Sequence, residues 1–260
     1  MVPNFNEDQL HFCAWLIIGL AVFVFITSFC MTLPYGRYSP YNLKFGVNAR
    51  LAWVLQECPS FLVPFAMFLI SDGMREIVSL DVSPNVVLLL MFMIHYFRRS
   101  FIYPLWIRKT APSPFYTFLP GFVVCTINGY MQGQYHLHVR RYPKEWFHSL
   151  QFVFGSFLFL LGFVINVHSD YFLTHLRKPG ETGHKIPRGG LFEYISCPNF
   201  FGEIVEWGGY WLASSSFVAF AFFFNTLVVI GTRACHHHRF YQEKFEDYPK
   251  NRKALIPFIL

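Results

Sequence analysis

Ionisable and amide side chains embedded in apolar sequence are the first candidates for chemistry in this chain. Glu57, with Gln56 beside it, lies in an apolar stretch about two turns, or roughly 9 Å, from its start if that stretch is helical. An isolated carboxylate in lipid is expensive, so Glu57 is expected either protonated or paired with a cation. Protonated, it donates a hydrogen bond to a buried carbonyl; paired, it is structural, with an arginine of the next apolar run as partner. Tyr96 sits in that next run at a similar depth. A lone tyrosine there is explained by packing, but two O–H donors meeting at one oxygen make an electrophilic clamp. Arg99, one turn further on, is placed to meet a phosphate or Glu57.

A second group surrounds the segment from Asn166 to Trp207. Asn166, Asp170 and Arg177 are spaced by 4 and 11 residues, within about 40° of one another if one helix carries all three. Asn199, Glu203, Glu206 and Tyr210 repeat at i, i+4, i+7 and i+11, which is again one helix face. Between the two stripes run Arg177, Lys178, Lys185 and Arg188, able to neutralise the phosphates of a nucleotide or simply to mark a positive-inside loop. No GxGxxG follows a strand pattern, so a nucleotide would have to be held by spaced side chains rather than by a Rossmann unit. His236, His237 and His238 are consecutive and do not share a helix face, which argues against a three-histidine metal site. One of them, His237, with Tyr241 four residues later, is a candidate to face a ligand.

The elements that must position these groups are membrane helices. Of 260 residues 54% are apolar, 20% aromatic and only 14% charged, against about 25% charged in an ordinary soluble domain. Continuous apolar runs of bilayer-crossing length recur, unlike the short alternating segments of a barrel. The fold class expected is all-α: a polytopic bundle forming a single domain, with seven spans near 10–33, 51–70, 85–107, 114–131, 150–168, 200–213 and 216–232. The run from Phe200 to Gly231 is too long for one span and is either one very long helix or two joined near Ala213–Ser216. The basic tail selects an odd number of spans. With the N-terminus outside, Arg37, Lys44, Arg50, Arg108, Lys109 and the central loop face the cytosol, and Arg75, Arg140, Arg141 and Lys144 face outward. The tail after Arg233 is expected to be an interfacial helix. The six cysteines form no CxxC pair, so neither a metal knuckle nor a disulfide framework is implied.

The chain closely resembles the steroid 5α-reductase family. The likeness runs through LQECPSF, HYFRRSFIYP, NVHSDYFLTHLRKPGETGHKIPRGGLFEYISCPNFFGEIVEWGGY and HHHRFYQEKFEDYPKNRKALIPFIL, in that order. The resemblance implies NADPH-dependent reduction of the C4–C5 double bond of a 3-oxo-Δ4 steroid by a seven-helix membrane protein. The N-terminus would lie outside and the C-terminus in the cytosol, in the endoplasmic reticulum or, in a bacterium, the inner membrane. Glu57 and Tyr96 match the pair that binds the steroid 3-keto oxygen, with Gln56 adjoining. Asn166, Asp170, Arg177, Asn199, Glu203, His237 and Tyr241 match positions about NADPH. Lys185 and Arg99 are added as phosphate-side candidates.

Two departures stand out. Pro120 falls where the family's human members carry an arginine thought to pair with the glutamate, leaving Arg99 as a substitute. His184-Lys185 replaces a tyrosine-arginine pair, keeping the charge but losing the bidentate fork. The implied partners are a lipophilic steroid and membrane lipid, with no nucleic acid, and the chain is expected to work as a monomer. Rivals are reduction of another lipid enone or an enoyl thioester, a membrane methyltransferase, and a seven-span receptor or transporter.

Overall fold

A computed structural model describes residues 4–32, 36–39, 46–107, 111–178, 180–181 and 183–260. Lys44, Arg108, Lys109 and the side chain of Arg37, expected on one membrane face, lie outside the described residues. The helices are α1 (Glu7–Ser28), α2 (Ala49–Leu69), α3 (Gly73–Val78), α4 (Pro84–Phe97), α5 (Tyr103–Trp106), α6 (Phe115–Gln134), α7 (Leu150–His175), α8 (Pro198–Ser214) and α9 (Phe217–Lys244). Strand is confined, among the described residues, to a two-residue antiparallel pair, Gly46–Val47 against Ser113–Pro114.

Local signals start most of these helices. Asn6 and Gln9 form a reciprocal capping box at α1. Asn48, Ser83, Ser149 and Ser216 accept first-turn N–H groups of α2, α4, α7 and α9, satisfying donors that have no helical partner. Ser215, with φ +46°, turns the chain between α8 and α9. The long apolar run after Phe200 is therefore two helices, not one.

Several boundaries differ from the sequence expectation. The span expected at 85–107 is interrupted by a π-helical turn, Arg98–Ile102, between α4 and α5. The span ending near 168 continues to His175, because Asn166, Ser169 and Asp170 stay buried against neighbouring helices. It stops before Arg177, so Arg177 does not share the Asn166–Asp170 stripe. The segment after Arg233 is helical, but as the last turns of α9 rather than a separate interfacial helix. Arg233, His237 and Tyr241, at i, i+4 and i+8, are buried there and hold those turns against the protein.

The longer helices alternate in direction between two ends of the bundle. α6 runs parallel to α2: Gly121 abuts Gln56, Gly129 abuts Ser60 and Gly133 abuts Pro64. α8 runs antiparallel to α7, with Gly155 against Ala213 and Gly162 against Glu206. A Cβ on Gly202 would stand 2.6 Å from the backbone nitrogen of Asn166, so only hydrogen fits between these two backbones, as in small-residue packing of membrane helices. Trp207, Tyr210, Phe92, Phe159, Tyr96 and Phe222 fill the centre of the bundle. Leu150, Phe157, Leu160 and Val164 on α7, and Trp15, Phe23 and Phe29 along and just past α1, face outward, as lipid contact requires.

By length and composition, five segments among the described residues can cross a membrane: α1, α2, Pro84–Trp106, α7 and α9. α6 and α8 are not among them. α6 carries Asn128, Gln132 and Gln134, and α8 has 17 residues with two glutamates.

Candidate active site

Glu57 lies on the face of α2 turned toward α6. Gln56 Nε2 donates to its Oε1 at 3.1 Å, and the Cys125 thiol approaches Oε2 at 3.8 Å. One turn further along α2, Ser60 donates to the Cys125 carbonyl at 2.9 Å, and Tyr96 on α4 has Ser60, Cys125 and Glu57 as polar neighbours. Glu57, Ser60, Cys125 and Tyr96 thus form one polar group where α2, α4 and α6 meet. Tyr96 is buried, its ring packed on Phe92, Trp207, His95 and Phe222.

The next turn of α4 leads to a charged cluster. Consecutive residues of an α-helix diverge by about 100°. Arg98 and Arg99 open the π-helical turn instead, and both guanidinium groups reach Oδ2 of Asp170 at 3.1 Å. Such turns recur at functional sites. Arg98 also donates to Asn166, and Arg99 approaches Glu203 at 3.5 Å. Asn166 Nδ2 donates to the Asn199 carbonyl at 2.9 Å and to Glu203 at 3.3 Å, while Asn199 donates to Asp170 Oδ1 at 3.2 Å. Close α7–α8 packing is what lets these short side chains meet. Arg99 is flanked by Trp53 and Tyr103, its guanidinium 4.7 and 4.9 Å from their ring centres. Its ion pairs are with Asp170 and Glu203 and not with Glu57. Glu57 is held by neutral groups instead.

Asn166, Asp170, Asn199, Glu203 and Arg99, singled out in the sequence, converge here. His237 and Tyr241 lie at the same end. His237 stacks on Phe200, one residue past Asn199, and its Nδ1 is 2.9 Å from the Tyr38 hydroxyl. Tyr241 stacks on Tyr248, ring planes 5° apart. Arg177 and Lys185 stand apart from the buried cluster, in the exposed loop: Arg177 donates to the Gly183 carbonyl at 3.4 Å, and Lys185 pairs with Glu181. The three consecutive histidines turn to three partners, Ser28, Tyr38 and Ser196.

The loop between α7 and α8 is latched to the C-terminal tail. Buried Arg252 donates to the Pro187 carbonyl at 3.2 Å and lies 3.7 Å from Glu193. The Gly189 amide N–H, with Arg252 and Arg188, holds the Glu193 carboxyl below the usual carboxylate range.

Ser60, Cys125 and His95, whose ring lies 2.7 Å from the fully buried Glu206, were given no role from sequence, and Arg98 none in the nucleotide group. The Arg98–Arg99 doublet inside an apolar run was the available signal. Which arginine would turn inward depends on the π turn, which periodicity does not reveal.

Residues 111–260 match the family model described as 3-oxo-5-alpha-steroid 4-dehydrogenase. The chain is 48% identical over 260 residues to the type 1 enzyme of that name from Bos taurus, covering 100% of this chain and 99% of the relative. It is 47% identical over 263 residues to the type 1 enzyme of Rattus norvegicus, with both chains fully covered. Against the type 2 enzyme of Homo sapiens it is 52% identical over 211 residues, 81% of each chain. The chain belongs to the 3-oxo-5-alpha-steroid 4-dehydrogenase family. This is an oxidoreductase family. In this family member the two groups adjoin along α4, since Tyr96 is two residues from Arg98 and three from Arg99.

Proposed function

We propose that this chain reduces the C4–C5 double bond of a 3-oxo-Δ4 steroid, with NADPH as the reductant. The observation that carries the reading is the adjacency of two unlike groups on α4. One is a set of hydroxyl and carboxyl donors among aromatic rings, suited to a flat apolar ketone. The other is a buried charged cluster at the end of the bundle from which the basic loop leaves, suited to a nucleotide. The cofactor fits the second group chemically. The side-chain atoms Arg98 Nε, Ser100 Oγ, Glu206 Oε2 and Trp207 Nε1 are buried without a hydrogen-bond partner among the described residues, so donors and acceptors remain for a polar ring substituent. Asn166, Asp170, Asn199, Glu203, Arg98 and Arg99 would hold it, with His237 and Tyr241 over it and Arg177 and Lys185 toward its phosphates.

When bound, NADPH supplies the hydride that reaches steroid C5. Glu57 in its protonated form and Tyr96 hydrogen-bond the 3-keto oxygen as negative charge builds on it, which is where preorganised donors act most strongly. Gln56 orients the Glu57 carboxyl. Aromatic walls around Tyr96 exclude water and strengthen both hydrogen bonds.

The same reading takes all seven longer helices as membrane spans, α6 and α8 being the more polar two. The N-terminus lies outside and the loop end faces the cytosol, where a charged nucleotide enters, consistent with an endoplasmic reticulum membrane protein working as a monomer. The test is NADPH oxidation by purified protein given testosterone, progesterone or an enoyl thioester. Turnover with the 3-oxo-Δ4 steroids is expected; turnover with the thioester alone would move the activity to another enoyl substrate.

A further inference from the structure

α6 and the turn after it carry a file of polar side chains, buried from Asn128 onward, that the reductase reading does not use. Cys125, Asn128, Gln132 and His136 are spaced by 3, 4 and 4 residues, which is one helix face. At one end Cys125 belongs to the Glu57–Ser60–Tyr96 group. Asn128 Oδ1 accepts from Gln132 Nε2 at 3.1 Å. Gln132 Oε1 accepts from the Tyr210 hydroxyl at 3.0 Å, and that hydroxyl lies 2.9 Å from His136 Nε2. His136 sits in a second π-helical turn, Tyr135–Val139.

It lines a cavity of about 180 Å³ together with Asp72, Glu76, Asn85, His138 and Arg141, large enough for several waters. That cavity lies at the C-terminal ends of α2 and α6 and the start of α4, the opposite end of the bundle from Asp170, Asn199 and the basic loop. Two groups along the file are unmatched: Asn128 Nδ2, near the α2 contact, and His136 Nδ1 are buried with no hydrogen-bond partner among the described residues. Buried polar atoms are seldom left so without a bound water. Packing alone would place leucine or valine at such positions, as it does elsewhere on these helices.

We propose that this file is the route by which the proton added at steroid C4 enters the protein, drawn from the membrane face opposite the one that NADPH uses. The proposal rests on the reductase reading and adds the source of its second hydrogen. Hydride addition at C5 leaves an enolate. A C4–H bond then forms as an O–H bond of the Glu57–Tyr96 group breaks. The lost proton is returned through Ser60, waters held by Asn128 and Gln132, the Tyr210 hydroxyl and His136. The net reaction is one steroid, one NADPH and one proton giving one saturated ketone and one NADP⁺. The amides do not titrate; their part is to hold water in line. Asp72, Glu76, His138 and Arg141 face the mouth and set the local proton supply. His136, Gln132 and Tyr210 are positioning residues, since they act through Tyr96.

The test uses wild-type protein in liposomes containing a trapped pH indicator. NADPH and steroid are added outside, and valinomycin with potassium collapses the potential that sided proton uptake would build. Only molecules with the nucleotide end outward turn over, because NADPH does not cross the bilayer. The expected result is initial alkalinisation of the interior by one proton per NADPH oxidised. With His136→Leu, oxidation should slow about tenfold or more with KM values unchanged and a larger solvent deuterium isotope effect, and imidazole trapped inside should restore the rate. NADPH oxidation with no interior pH change, the proton being taken from outside, would overturn the route while leaving the reductase reading intact. No steroid-dependent oxidation at all would overturn that reading instead.

Discussion

Removing one donor from the oxygen clamp isolates its share of catalysis, because the structure supplies little else for the change to disturb. In Tyr96→Phe the ring keeps its contacts with Phe92, Trp207 and Phe222. Ser60 keeps its bond to the Cys125 carbonyl, so no buried group is newly stranded. The unfolding midpoint should therefore move by no more than about 4 °C, equivalent to about 1 kcal/mol for a chain of this size. In Glu57→Gln the amide oxygen can still accept from Gln56 Nε2, so the local geometry is again retained. The chemical effect is far larger. Loss of one oxyanion donor costs about 10²–10³-fold in kcat, about 3–4 kcal/mol. Tyr96→Phe should lose that much in kcat with NADPH affinity unchanged; Glu57→Gln exchanges the acidic O–H for a weaker amide N–H donor, so its loss should be smaller, about tenfold or more. The double variant should lose less than the sum, because both groups serve one oxygen. The assay is steady-state NADPH oxidation with testosterone, beside thermal unfolding with and without NADPH. A kcat within threefold of the parent in either variant would remove that residue from the mechanism.

Other perturbations probe the supporting structure. Asp170→Asn takes the shared carboxylate from two buried arginines, and breaking such a pair costs about 3–5 kcal/mol; thermal unfolding should show the loss and NADPH should no longer raise the midpoint. Gly202→Ala forces a methyl group against the Asn166 backbone, an overpacking cost of about 1–3 kcal/mol, and should weaken NADPH binding by separating α7 from α8, measurable by titration. Arg252→Ala should release the loop between α7 and α8, seen as faster limited proteolysis within residues 176–190 than in the parent. Acid should loosen the same latch. Because the Glu193 carboxyl is held below its usual range, its contribution is complete above the ordinary glutamate pKa and disappears only as pH falls through the lowered one. Protection from proteolysis should thus persist to more acidic pH than an unperturbed glutamate allows.

Much of this arrangement was legible in the residues themselves. The Asn199–Glu203–Glu206–Tyr210 spacing gave the inward face of α8, and the pairing of Asn166 with Asp170 gave that of α7. Hydropathy marked the apolar runs, and charge bias divided the run after Phe200 into the two helices α8 and α9. What periodicity missed was set by packing at a distance. α7 extends past 168 because Asp170 has two arginines to meet, and α9 runs to Lys244 because His237 and Tyr241 find aromatic partners. Arg177 was placed on the Asn166–Asp170 stripe by spacing alone, yet α7 ends at His175, before it. The π turns at Arg98 and Tyr135 leave no mark in a 3.6-residue pattern, and they present Arg98 and His136 inward.

The most direct measurement of the central claim follows the hydride. Enzyme turning over NADPH deuterated at nicotinamide C4 with a 3-oxo-Δ4 steroid should give a saturated ketone carrying deuterium at C5, at a rate that Tyr96→Phe lowers about 10²–10³-fold. Deuterium at any other carbon, or cofactor oxidation that proceeds equally well without steroid, would contradict the account.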